Sequence, residues 1–359
     1  MRQAATFLSS LLSPRRLGTL ALAASGTLVF WLAGLPLPFL FGPMFACLLG
    51  ALAGARLQGM SPLSSGARTI LGVAVGASIT PQVIHQLPQM GGSVAFVPIY
   101  IAAIGLVGVP YFHRICGFDL ATSYFAAMPG GLQDMVVFGK EAGGDVRALS
   151  LIHATRVLVI VTIVPAVLVY AFDRPLIQPI GAPAAELPIS ELLLMSVAAI
   201  GGWKLAERVG LFGAPILGPM IATAILSLTG IITHRPPREA ILAAQFLIGM
   251  GIGVGYVGVT LIELRRFVLS GLVFVVILAA LAFLVTEAVV QLGLAAPIDG
   301  FLAFAPGGQA EMTVLAIVAG ADLGFVVVHH LSRLTLVILG APIFARAMGL
   351  RGKAGRRRE

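Results

Sequence analysis

The chain has 359 residues, 58% of them hydrophobic and only 11% charged, where a soluble domain carries about 25% charge. Its net charge of +8 is not laid out as a nucleic-acid footprint. The cations gather at Arg2, Arg15 and Arg16, in short loops, and in the tail at Arg346, Arg351, Lys353, Arg356, Arg357 and Arg358, as cytoplasmic anchors do. Composition therefore argues against a soluble enzyme and a basic DNA-binding module. Apolar stretches of about 20 residues recur along the whole length and mark a polytopic membrane protein. The two cysteines, Cys47 and Cys116, imply no disulfide framework.

Ser13-Pro14-Arg15-Arg16 precedes the first apolar run. It has the look of a twin-arginine signal but no convincing cleavage site, so the run is expected to stay as the first transmembrane helix. Hydrophobic patterning then predicts helices over 17–35, 39–55, 67–84, 93–113 and 147–171, with a Pro-Gly-Gly element at 119–139 before the last. A proline-rich linker over 173–188 follows, with Pro175, Pro179 and Pro183. Helices over 189–208, 213–231, 240–258, 267–291 and 324–346 come next, with a second element at 299–320. The expected domains are a membrane repeat over 1–172 with a basic head at 1–16, a second repeat over 189–346, and a basic tail at 347–359.

The two halves are a duplication. Ala33-Gly34-Leu35 and Gly42-Pro43-Met44 match Val209-Gly210-Leu211 and Gly218-Pro219-Met220 at an offset of 176. From Gly72 onward the offset is mostly 177. Gly72 and Gly76 match Gly249 and Gly253; Pro129, Gly130 and Gly131 match Pro306, Gly307 and Gly308; Asp134 and Met135 match Glu311 and Met312. Asp145, His153, Arg156 and Pro165 match Asp322, His330, Arg333 and Pro342. Small residues four apart, as at Gly72/Gly76 and Gly249/Gly253, suit close helix packing.

Topology turns on whether the Pro-Gly-Gly elements cross the membrane. If they cross, each repeat has six spans and the loop cations split evenly between the two sides. If they enter and leave on one side, each repeat has five spans and the repeats are inverted. Then Arg56, Arg68, Arg114, Lys140, Arg147, Lys204, Arg208, Arg265 and Arg266 lie inside, and only Arg174, Arg235 and Arg238 outside. The positive-inside rule favours the second arrangement. The expected fold is an all-α membrane protein of two inverted repeats, each with about five transmembrane helices plus one broken, re-entrant element.

Proline removes a backbone donor and glycine tolerates unusual angles, so Pro-Gly-Gly interrupts a helix. Broken backbone survives at membrane depth only where protein buries it or water reaches it. Secondary transporters aim such half-helix ends at their substrate. The expected substrate or ion site is therefore Pro129, Gly130, Gly131 and Asp134 with Pro306, Gly307, Gly308 and Glu311. The acids also suit the first turn of a helix, where they offset its dipole. His153 with Arg156, and His330 with Arg333, share a helix face at a spacing of three. They are expected to balance charge or relay protons, with Asp134 or Asp145, and Glu311 or Asp322, as arginine partners. Asp145 and Asp322 also sit where an N-cap belongs. Glu287 has no counterpart in the first half and draws no role.

Taken together, the Pro-Gly-Gly-x-x-[Asp/Glu]-Met pair, the Gly-Pro-Met pair and the His-x-x-Arg pair resemble the AbrB-type integral membrane family, which is defined by a duplicated membrane domain. The resemblance spans about residues 20–345. It implies a bacterial inner-membrane protein, and it brings two family labels, a regulator of gene expression and an ammonia monooxygenase. The residues argue against both as direct activities. The six histidines, at 85, 113, 153, 234, 329 and 330, form no metal-ligand spacing, and no soluble recognition module is present. No enzyme activity, cofactor or metal is expected. The expected partners are the lipid bilayer and a small molecule or ion, with proton or sodium coupling. No direct nucleic-acid contact is expected, and a homo-oligomer or a regulatory protein partner stays open. Both termini are expected in the cytoplasm. A secondary transporter is the leading reading and a membrane-embedded sensor or scaffold the alternative.

Overall fold

The computed structural model describes residues 13–349, apart from 36, 175, 177–179 and 212–213. Arg2, the tail cations from Arg351 onward, Pro175 and Pro179 lie outside the described residues. The described chain is all helical. In chain order the helices are α1 Pro14–Leu32, α2 Pro38–Leu52, α3 Ser61–Ala77, α4 Pro81–Val94, α5 Phe96–Pro110, α6 Leu120–Ala127, α7 Leu132–Glu141 and α8 Val146–Tyr170. A short 3₁₀ turn at Ala184–Glu186 precedes α9 Ile189–Arg208, α10 Ala214–Leu228, α11 Arg238–Val254 and α12 Leu261–Gln291. The last three are α13 Pro297–Phe304, α14 Gln309–Ala319 and α15 Leu323–Ala347.

Five stretches are long and apolar enough to cross a membrane: Val83–Ile115, α8, α9, α12 and Leu323–Ala345. Large apolar side chains face outward along them, with Leu106 77% and Val276 69% exposed. A bilayer accommodates such a surface and water does not. α8 and α15 are the most buried of the five. Four sequence boundaries move by six residues or more, and the helices expected from 67 and 267 begin at Ser61 and Leu261. The expected helix at 67–84 ends at Ala77, and the one at 93–113 begins at Pro81 as α4 and runs on through α5. Pro81 opens that helix where a missing N–H costs nothing. Its early turns carry His85, Gln86, Gln89, Gly91 and Gly92, which dilute the apolar signal.

The chain forms two compact units, and each draws on both halves of the sequence. One holds α1–α3 and α9–α11; the other holds α4–α8 and α12–α15.

Glycine contacts define the first unit. Gly34 and Gly210 end α1 and α9 in the left-handed region, at φ 64° and 68°, and the next residue turns back onto the helix: Leu35 N–H donates to Phe30 O at 2.9 Å and Leu211 N–H to Ala206 O at 2.8 Å. That hydrogen bond is a Schellman closure, and it accounts for the paired x-Gly-Leu triplets. α1 and α2 then cross with Gly26 against Gly42, and α9 and α10 with Gly202 against Gly218. α3 lays Gly72 and Gly76 on the carbonyls of Ile216 and Met220 in α10. α11 lays Gly249 and Gly253 on those of Leu40 and Met44 in α2. Each third helix therefore packs on the second helix of the other half of the sequence.

Any Cβ at these four crossings would overlap backbone oxygen. Gly76→Leu and Gly253→Leu are each expected to lower stability by about 1–3 kcal/mol or more, read as a fall in the thermal midpoint in detergent. Gly18→Ala, where α1 has open space, should hold the midpoint or raise stability by up to about 1 kcal/mol. Equal losses at all three positions would refute the packing role.

Candidate functional site

Both Pro-Gly-Gly motifs break a helix in the second unit. α6 ends at Ala127, Met128 turns extended, and α7 begins after Gly131; α13 ends at Phe304, Ala305 turns extended, and α14 begins after Gly308. Pro129, Gly130, Pro306 and Gly307 are buried.

The interruptions do not use the unusual backbone angles that glycine tolerates. None of the four glycines takes the left-handed backbone; Gly131 and Gly308 sit in extended conformation at φ −65° and −74°. What they supply is room. A Cβ on Gly130 or Gly307 would strike the side chain of Met135 or Met312. One on Gly131 or Gly308 would strike the carboxylate of Asp134 or Glu311. This explains why an acid and a methionine follow each motif at fixed spacing. The methionine, fully buried in both cases, covers the first glycine. The acid, third residue of its helix, folds back over the N-cap glycine as the acid of a capping box does, where it offsets the positive end of the dipole.

The other end of each gap meets α8 or α15. His153 Nε2 donates to Phe125 O at 2.9 Å, Arg156 Nη1 to Met128 O at 3.2 Å, and Arg156 Nη2 to Gly130 O at 2.5 Å. The second break repeats each bond. His330 Nε2 donates to Leu302 O at 2.9 Å, Arg333 Nη1 to Ala305 O at 2.8 Å, and Arg333 Nη2 to Gly307 O at 2.7 Å. All five residues of the second set lie 177 positions after those of the first. The four side chains are at most 6% exposed. With Nε2 donating, His330 Nδ1 is a lone-pair acceptor and takes a third bond from Arg333 at 2.9 Å.

The family model described as "Transition state regulatory protein AbrB" matches residues 39–349. The chain belongs to the AbrB family. It is 28% identical over 356 residues to "Uncharacterized protein YhjN" of Bacillus subtilis (strain 168), covering 92% of each chain. It is 27% identical over 327 residues to "Putative regulator AbrB" of Escherichia coli (strain K12), covering 87% of this chain and 90% of that one.

In this AbrB-family protein Asp145 and Asp322 stand apart from the arginines. Asp145 caps α8 by accepting from Arg147 N and Ala148 N at 2.9 and 3.1 Å, and Asp322 accepts from Phe325 N at 3.0 Å. Arg156 lies eleven residues further along α8, about 16 Å away, too far for a pair. The guanidiniums are instead held by carbonyls of the gaps. The charge of Glu311, and that of Arg333, still reaches Arg156. Glu287 accepts from Gln291 Nε2 at 2.7 Å on an exposed face.

Sequence reasoning missed two residues here. Tyr100 on α5 is fully buried, with its ring 5.9 Å from that of Phe304 and edge-on at 86°. Gln309 opens α14, and both polar atoms of its side chain are buried without a partner. Neither has a counterpart at its offset, where Ile277 and Leu132 stand, so the internal repeat could not reveal them.

Arg156→Met or Arg333→Met would strand two buried carbonyls. Each is expected to cost at least about 2 kcal/mol, seen as a lower thermal midpoint. Lysine at either position should recover only part of the loss, because a point ammonium cannot bridge both oxygens as the planar fork does. Asp145→Ala should cost about 1 kcal/mol, the usual value of a cap. A full rescue by lysine would contradict the bridging role.

Proposed function

We propose that the protein is a secondary transporter of a small solute, built from two inverted five-span repeats with both termini in the cytoplasm. Its site lies at the two Pro-Gly-Gly breaks. One observation supports this above all: two buried helix interruptions carry the same set of hydrogen bonds, residue for residue, at an offset of 177. In each, an arginine holds the carbonyl end and an acid covers the amide end. Two paired breaks of this kind are how inverted-repeat transporters assemble one central site. The loop cations support inversion through the positive-inside rule. In this reading Asp134 and Glu311 take up the coupling proton or sodium. Neutralising either acid frees a helix N-terminus that the acid otherwise covers. The protein moves solute and breaks no bond in it.

A second reading, a membrane-embedded sensor that acts on gene expression indirectly, is favoured by the regulator name of the Escherichia coli relative. The two readings part on flux. Purified protein in proteoliposomes should accumulate a carboxylate, amino acid or amine from a mixed panel under an imposed pH or sodium gradient. The Asp134→Asn/Glu311→Gln double variant should lose this by at least about tenfold while keeping a monodisperse fold. Ligand binding without flux under either gradient would favour the sensor. Unaltered flux in the double variant would take the acids out of the coupling step.

A further inference from the structure

α5 runs past both breaks. A Cβ at Gly105 would come within 3.2 Å of the Met128 methyl at the first break, and one at Gly108 would meet Ala127. Five residues before Gly105, Tyr100 sets its ring against Phe304, the last helical residue before the second break. The Tyr100 hydroxyl is buried with no hydrogen-bond partner, and so is Arg156 Nε. The charges of both Arg156 and Arg333 reach the Tyr100 phenol.

Such a pair calls for an explanation, because burying an unpartnered polar group is costly and native structures keep few of them. The other buried phenol beside the breaks, Tyr124, follows the rule: its hydroxyl donates to Ala341 O at 3.1 Å. Both orphaned groups on Tyr100 and Arg156 are donors. Gln309 adds an orphaned amide at the start of α14. His153 Nδ1, also orphaned, is the one pure acceptor among them. Donors beside fixed positive charge select an oxyanion, and a guanidinium edge suits a planar carboxylate better than a spherical halide.

We infer that Tyr100 and Arg156 hold a small carboxylate at the two breaks, one oxygen accepting from the Tyr100 hydroxyl and another from Arg156 Nε–H. This deepens the transport reading and rests on it. It also bears on coupling. By formal count two acids, Asp134 and Glu311, stand beside the breaks with two arginines, so an added carboxylate enters with a cation, which a proton or sodium supplies.

Tyr100→Phe removes the hydroxyl and keeps the ring. The purified full chain would be titrated with acetate, lactate and benzoate, with methylammonium as the cation control, following the thermal midpoint. At least one carboxylate should raise the wild-type midpoint. Tyr100→Phe should need at least about tenfold more of it for the same rise, with a ligand-free midpoint equal to or above wild type. A merely structural tyrosine would lower that midpoint and leave the carboxylate response intact, which overturns the inference. Stabilisation by methylammonium alone, or by none of the probes, overturns it too. The transport reading fails separately, on absence of flux in the proteoliposomes.

Discussion

A main chain interrupted among apolar side chains leaves carbonyls stranded on one side of the gap and amides on the other. In a bilayer no water repairs this, and each unmet group is costly. Both gaps here are repaired by the same two devices, a guanidinium across the carbonyls and a carboxylate folded toward the amides. The rest of the second unit is arranged to deliver them. α8 and α15 must lie along the gaps because each carries the histidine and arginine that reach back 26 to 28 residues to the broken element. They must also be the most buried of the long helices, since a guanidinium facing lipid would have no such partners.

The repair is not identical in the two gaps. In the second, His330 Nδ1 accepts from Arg333, so the histidine and arginine lock to each other as well as to the break. In the first, His153 Nδ1 and Arg156 Nε are left without partners. The first gap thus keeps unused hydrogen-bonding capacity on its histidine and arginine, where the second joins the two to each other. In the proposed transporter, gaps that match in their backbone bonds and differ in their side-chain remainder would suit one asymmetric solute between two related ends. Tyr100 and Gln309, which have no counterparts in the other half, add to the same imbalance.

Much of this was legible in the sequence because the repeat reports on itself. The positions that match at 176 or 177 turn out to be helix C-caps at Gly34 and Gly210, helix crossings at Gly72, Gly76, Gly249 and Gly253, and the repaired breaks. Those roles depend on backbone geometry, which both halves share. Two kinds of information were hidden. Pro-Gly-Gly does interrupt a helix as the sequence suggests, but the reason for glycine was hidden, because the need for space against Met135 and Asp134 cannot be told from a need for positive φ until side chains are placed. Of the acids expected beside the arginines, Asp145 and Asp322 turn out to cap helices, and the hydrogen bonds of the guanidiniums go to carbonyls. Sequence suggests acids for arginines, but a carbonyl carries no letter of its own. Tyr100 was invisible to a search that looked for pairs.

The division into two compact units follows from the crossings. α3 presents Gly72 and Gly76 to α10, and α11 presents Gly249 and Gly253 to α2, so each third helix finds its close-packing surface in the other half of the chain. In the second unit Tyr111 on the segment after α5 donates to Ser270 O in α12 at 3.0 Å, Arg147 of α8 pairs with Glu263 of α12 at 2.9 Å, and Tyr124 of α6 reaches α15. Neither half therefore holds a finished unit. A half expressed alone would expose glycine faces shaped for absent carbonyls and leave Tyr111, Tyr124 and Arg147 without these partners. Each compact unit is composite, with elements from both halves of the sequence, and both breaks fall in the same one.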